Sequence, residues 1–226
     1  MEELPSSLEN ISIPRCYLSR LDHEGVRLQL HHFCDASEIG YGTATYLRIE
    51  YPDAMTKCSF LTGKSRNAPI KSTSIPGLEL QGALLLARID LAVRSELDFH
   101  FGKVIFWSDS VITPNCIKNE SRWFQTYVIN RVKEIRELTH PDQWRHCPGR
   151  INPVEDVSRG LEMDELLKNN CWLKGPSFLR ETEDKWPKNK CSAVSNKKSR
   201  AQHDSSRLHH QVLPLGAYLA QSGLAA

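Results

Sequence analysis

Four apolar residues in a row, Val104 to Trp107, run straight into Ser108 and Asp109. A continuous run of this kind suits a strand buried on both faces, so it predicts the middle of a sheet covered on two sides. It also limits what Asp109 can be, because functional residues in open α/β sheets gather just beyond the strand ends.

The flanking sequence supplies the rest of such a sheet. The stretch VRLQLHHFCDAS places apolar residues at Val26, Leu28, Leu30, Phe33 and Cys34, and predicts a strand ending at Asp35. GYGTATYLRIEY and TKCSFLTGKSR predict a second and a third strand, and the short connections imply an antiparallel meander. Pro76 and Gly77 then punctuate the chain. An amphipathic helix follows, with its stripe at Leu78, Leu85, Ile89 and Val93 and with Glu79 in its first turn. The apolar run is the fourth strand. A short helical segment after Asp109 is expected to be interrupted near Pro114. RWFQTYVINRVKEIREL predicts another helix, with Phe124, Val128, Val132, Ile135 and Leu138 on one face. QWRHCP gives a fifth strand, and NPVEDVSRGL opens a last helix with Pro153 in its first turn. The expected class is α/β, a five-stranded mixed sheet whose first three strands are antiparallel, flanked by helices. The expected division is an irregular lead-in over 1–25, the domain over 26–160, a trailing segment over 161–187 that packs back on it, and a disordered tail over 188–226.

Charge and cysteine content narrow the function. The formal net charge is +2, so nucleic-acid binding has to come from a local basic face. No apolar run approaches the roughly 20 residues of a membrane span, and no signal-peptide pattern opens the chain. Seven cysteines, an odd number without a CxxC pair, imply buried free thiols rather than a disulfide framework or a zinc site. The expected location is intracellular, in cytoplasm or nucleus.

Three carboxylates stand where stability alone would not put them. Asp35 and Asp109 follow strands expected to be parallel neighbours, and Glu79 sits on a helix packed across those strands. Each has an ordinary alternative: Asp35 and Asp109 as caps, and Glu79 as a partner for a helix N-terminus. Together they imply one acidic cluster. Converging carboxylates repel each other unless cations neutralise them, and an all-oxygen site selects Mg²⁺ or Mn²⁺. Two such ions about 4 Å apart form a phosphoryl-transfer site. Downstream, HCPGRINPVED carries His146, on a loop before a Pro-Gly turn and suited to proton transfer. Asn152, Glu155 and Asp156 follow it.

The motifs CDASEIGYGTATYLR, GKSRNAPIK, IPGLEL, FWSDS, WFQTYVINRVKEI, WRHCPGRINP and EDVSRG occur in that order, and GPSFLRETEDKWP trails them. The set resembles the ribonuclease H region of BEL/Pao-type retrotransposon polyproteins over roughly residues 5–187. The resemblance implies a ribonuclease H-like fold. It also implies endonucleolytic hydrolysis of the RNA strand of an RNA–DNA hybrid, with two Mg²⁺ (or Mn²⁺) ions. It makes Asp35, Glu79 and Asp109 metal ligands and His146 the loop histidine. The fourth ligand is Asp156 by the general ribonuclease H spacing from Asn152. By the BEL/Pao spacing from Ser158 and Arg159 it is Glu155. The implied partners are the hybrid and a reverse-transcriptase domain outside this chain, with no membrane.

Phosphate contacts are expected from Lys64, Arg66, Lys71, Arg122, Arg131 and Arg150. Asn115 and the backbone amides around Ala36, Ser37 and Gly40 are candidates for 2′-hydroxyl contacts. The rival from another class is a catalytically decayed or host-adopted module that keeps the fold and binds nucleic acid or protein.

Overall fold

The computed structural model describes residues 24–70, 73–118, 126–155, 158 and 171–188. Five strands form one sheet: β1 (Arg27–Ala36), β2 (Gly40–Glu50), β3 (Thr56–Asn67), β4 (Phe101–Ser108) and β5 (Trp144–His146). Their order is β3-β2-β1-β4-β5. β1 and β2, and β2 and β3, pair antiparallel, while β4 lies parallel to both β1 and β5. This is the mixed sheet that the sequence predicts.

Side chains alternate along the central strands, so one residue faces each layer in turn. Cys34, Phe106 and Trp144 point to a core built with Leu80, Ala83 and Leu86 of α1 (Ile75–Glu96). Ile117 of α2 (Ile112–Lys118) joins it, as do Val128, Val132 and Ile135 of α3 (Thr126–Leu138). Phe33, Ile105 and Trp107 point the other way, into a core completed by Val154, Phe178, Leu179 and Trp186. The apolar run of β4 is therefore buried on both sides, and both Phe106 and Trp107 are 0% exposed.

The second face is sealed by residues 171–188, a short helix α4 (Cys171–Lys174) and two single 3₁₀ turns. Backbone carbonyls of this segment are bound by side chains of the sheet. Arg48 Nε donates to Leu179 O at 2.6 Å, Arg48 Nη2 to Glu181 O at 3.0 Å, and the Tyr46 hydroxyl to Trp172 O at 2.8 Å. Lys103 and Arg145 both pair with Glu183. The indole of Trp186 lies beside the guanidinium groups of Arg48 and Arg145, at 5.2 and 5.7 Å. Gly175 has φ +71, and a Cβ there would lie 2.8 Å from Cys58 Sγ, so only glycine fits that turn.

Three local readings are corrected. Helix α1 starts at Ile75, with Ser74 as N-cap, and takes Pro76 and Gly77 into its first turn. Proline is accommodated there because the first-turn N–H groups have no intrahelical partner. Glu79 consequently lies beyond the first turn. Leu85, Ile89 and Val93 are only partly buried, and the packed face is instead Leu80, Ala83, Leu84, Leu86 and Ala87. For the same reason as Pro76, Pro114 does not interrupt α2 but sits as its third residue. Phe124 and most of the lead-in, of the tail and of the last helix lie outside the described residues. The described cysteines, Cys34, Cys58, Cys116, Cys147 and Cys171, are free thiols.

Candidate active site

The register of the parallel strands builds the site. Cys34 pairs with Ser108, and Ser108 pairs with His146, so the ends of β1, β4 and β5 lie in one row. Asp35 and Asp109 each follow a member of that row. Gly82 of α1 packs against the same edge, where a Cβ would lie 3.5 Å from the carbonyl of Asp35. This close crossing brings Glu79, nearly one turn earlier, to the strand ends. Asn152 ties the downstream segment to β1: its Nδ2 donates to Cys34 O at 3.0 Å, while its Oδ1 accepts from Val154 N at 3.2 Å.

Two serines hold two of the carboxylates. Ser110 Oγ donates to Glu79 Oε2 at 2.5 Å and accepts from the amides of Ile112 and Thr113, so it also caps α2. Ser158, 1% exposed, donates its hydroxyl to Asp35 Oδ2. Its carbonyl accepts from the Ser37 hydroxyl. The sequence reading gave neither serine a role. The available signals were the adjacency of Ser110 to Asp109 and the spacing of three from Glu155 to Ser158, which puts both on one side of a helical turn.

Gly149 lies between Glu155 and Asp109. A Cβ on Gly149 would lie 2.8 Å from Glu155 Oε2 and 3.5 Å from Asp109 Oδ2, so both carboxylates converge over this glycine. Asp156 lies outside the described residues. His146 is the last residue of β5 and is buried, not on a mobile loop as the turn after it suggests.

Electrostatics report crowding. Burial pushes Asp109 up to about 8, and the charge of Asp35, a hydrogen bond shared with Asp35 and the charge of Glu79 add to it. Burial also raises Glu79, against the hydrogen bond from Ser110, with Asp35 adding to the rise. Asp109 Oδ1 is buried without a hydrogen-bond partner among the described residues. An all-carboxylate donor set with a buried oxygen that has no hydrogen-bond partner among the described residues is of the donor type that suits a hard divalent cation. As the side chains stand, no three His, Cys, Asp or Glu among the described residues are grouped closely enough to hold a metal ion.

The predicted nucleic-acid contacts fall on several elements. Lys64 and Arg66 are exposed on edge strand β3, Asn115 is half-buried on α2, and Arg150 is exposed beside Gly149. The Ser37 amide is taken by Gly40 O at 2.8 Å, which removes one proposed 2′-hydroxyl donor. Lys71 and Arg122 lie outside the described residues. No described helix is long and apolar enough to cross a membrane.

Residues 2–110 match the family described as the Pao retrotransposon-like RNaseH-like domain. No curated protein matches the chain. Similar solved structures include the N-terminal RNase H domain of Rv2228c from Mycobacterium tuberculosis, solved as a fusion with maltose-binding protein. That likeness has 12% identity and a TM-score of 0.37, over 63% of this chain and 97% of that one. RNase H1 from Halobacterium salinarum has 13% identity and a TM-score of 0.32, over 54% and 86%. LC11-RNase H1, solved with an RNA/DNA hybrid, has 10% identity and a TM-score of 0.36, over 56% and 88%.

Proposed function

We propose, from the premise that residues 2–110 belong to the Pao retrotransposon-like RNaseH-like domain family, that this chain is a retroelement-derived ribonuclease H. It hydrolyses the RNA strand of RNA–DNA hybrids in a metal-dependent reaction. The observation that carries this reading is the row Cys34–Ser108–His146, which sets Asp35 and Asp109 side by side with Glu79 across from them.

Asp35, Glu79 and Asp109, with Glu155 or Asp156 as the fourth member, would hold two Mg²⁺ or Mn²⁺ ions. When bound, these supply an activated water and stabilise the leaving oxygen. The protein's own groups set the geometry. Ser110 orients Glu79, Ser158 orients Asp35, and Asn152 fixes the segment bearing Glu155 against β1. Asp109, which burial and its acidic neighbours push up to about 8, would hold a cation only as the carboxylate, its proton passing to solvent. His146, at the end of β5, is the candidate for proton transfer at the site's rim. A reverse-transcriptase domain would supply the hybrid, and the activity would be intracellular.

The test is an end-labelled RNA–DNA hybrid incubated with the purified chain in Mg²⁺ and in Mn²⁺, with Asp109→Asn in parallel. Cutting of the RNA strand alone, abolished by Asp109→Asn, is the expected result. Folded protein that cuts neither strand in either metal overturns it. The second reading, a fold-retaining module that binds without hydrolysis, is favoured by one observation: serine hydroxyls occupy oxygens of both Asp35 and Glu79.

A further inference from the structure

Edge strand β3, α1 and α3 together enclose a groove of about 380 Å³ whose charged lining is entirely cationic: Lys64, Arg66, Arg88 and Arg131. A chain with net charge +2 has no general reason to collect four cations around one cavity with no carboxylate in its wall. Lys64, Arg66 and Arg131 have no carboxylate partner among the described residues. Arg88 is paired with Glu134 at 2.6 Å but remains 58% exposed. The guanidinium of Arg131 lies over the Tyr127 ring, 3.4 Å from its centre, its Nη1 donates to Tyr127 O, and its buried Nε has no hydrogen-bond partner among the described residues. That arginine is held in place by aromatic packing and has donor capacity left over.

The groove opens next to the acidic cluster. Tyr41, in its wall, pairs with Ala36 in the β1–β2 ladder, and its hydroxyl donates to Gln81 at 3.3 Å. Gln81 is two residues from Glu79. The cavity therefore starts within one helical turn of the carboxylates and runs along α1 past Arg88 to Ala92.

We propose that this groove is a track for a nucleic-acid phosphate backbone, a second contact surface beside the carboxylate cluster. It rests on the ribonuclease H reading for the identity of the ligand and adds where the duplex is held. Three cations without a carboxylate partner among the described residues and one half-neutralised arginine match the spacing-tolerant, sequence-independent attraction of phosphates. The polar pair Tyr41–Gln81 offers hydrogen bonds to backbone oxygens. The groove adds Arg88 and Gln81 to the residues that the sequence singled out.

The experiment is fluorescence anisotropy of a labelled RNA–DNA hybrid with the full chain in EDTA, so that binding is read without cleavage, over a series of salt concentrations. Lys64→Gln/Arg88→Gln is compared with Lys133→Gln/Lys185→Gln, which alters two exposed lysines outside the groove. Circular dichroism melting checks that both variants fold. With slopes of about 0.9 per neutralised phosphate, the groove variant should lower the salt slope by nearly two and weaken binding on the order of tenfold, while the control pair changes neither. A folded groove variant with the parent's slope overturns the proposal, as does a parent that binds no hybrid. Failure of the two readings is separable. Loss of binding in the groove variant, with a parent that cuts nothing in Mg²⁺, retains the track and removes the hydrolase. Cutting by the parent with unchanged binding by the variant does the reverse.

Discussion

Ser158 reaches back across 123 residues to hydrogen-bond Asp35, and so links the last described turn of the domain to the end of its first strand. The contact is buried, and Ser158 stands on the same helical turn as Glu155, whose carbonyl is 3.0 Å from the Ser158 hydroxyl. One turn thus presents a hydroxyl to Asp35 and a carboxylate toward Asp109. Replacing Ser158 with Ala removes a hydrogen bond to a buried charged group, an effect of roughly 1–3 kcal/mol. Urea unfolding of the metal-free protein should show a loss of that size. A variant as stable as the parent would mean that the contact contributes nothing.

Asp109 makes stability depend on pH in an unusual direction. Its folded pKa, about 8, lies above the ordinary carboxylate value of 3.8, so the folded state holds the proton more tightly than the unfolded chain. Its favourable contribution is complete below 3.8 and is lost as pH rises through about 8. The metal-free protein should therefore melt at lower temperature at pH 8 than at pH 6, and Asp109→Asn should flatten that slope. Added Mg²⁺ should raise the melting temperature of the parent more at pH 8 than at pH 6. An identical Mg²⁺ response at both values would contradict the carboxylate assignment.

Gly149→Ala tests the fourth acidic position. The new methyl would meet the far end of the Glu155 side chain, which can swing aside, so the fold should survive with a change of about 1 kcal/mol or less. Displacement of Glu155 should shrink the Mg²⁺-induced rise in melting temperature. An undiminished rise would assign the position to Asp156 instead.

His31 acts on the acid side. It is fully buried, with Nδ1 accepting from the Trp107 indole at 3.1 Å and Nε2–H donating to Gln29 Oε1 at 3.2 Å. Burial above all, then the charge of Arg48, holds its pKa well below 6.5. The unfolded chain therefore takes up the proton first, and stability is complete above about 6.5 and declines below it. Subtracting the pH–stability profile of His31→Gln from that of the parent should leave this decline. A flat difference between pH 7 and 5 would rule it out.

Trp186→Ala removes the indole flanked by Arg48 and Arg145 and opens the second core. A loss of roughly 3–5 kcal/mol is expected from guanidinium chloride unfolding. A loss below 1 kcal/mol would show that residues 171–188 merely lie on the sheet.

The sequence made the sheet legible because its information is local and periodic. Alternation marked β1, a stretch rich in Tyr, Thr and Ile marked β2, an uninterrupted apolar run marked β4, and strand ends located Asp35 and Asp109. It was less informative where a residue's meaning depends on position within a helix. Pro76, Gly77 and Pro114 read as breaks, yet each falls in a first turn where no amide is needed. The face of α1 was misjudged because the helix packs against both the sheet and α3, which buries a wide arc and blurs the stripe. Ser110 and Ser158 carried only weak signals, because a hydroxyl gains its role from a carboxylate far away in sequence. The same holds for the buried network in which His32 meets Asp90 at 3.0 Å and Arg94 grips the other Asp90 oxygen.

The cover formed by residues 171–188 also has a consequence during synthesis. Phe33, Ile105 and Trp107 are made long before Phe178, Leu179 and Trp186. While the chain grows at about 5–20 residues per second, one face of the sheet stays wet for several seconds after its strands are complete. The nascent protein must therefore carry an unsealed aromatic surface until its last core residues leave the ribosome. That interval, rather than the mature fold, is when self-association is most favoured.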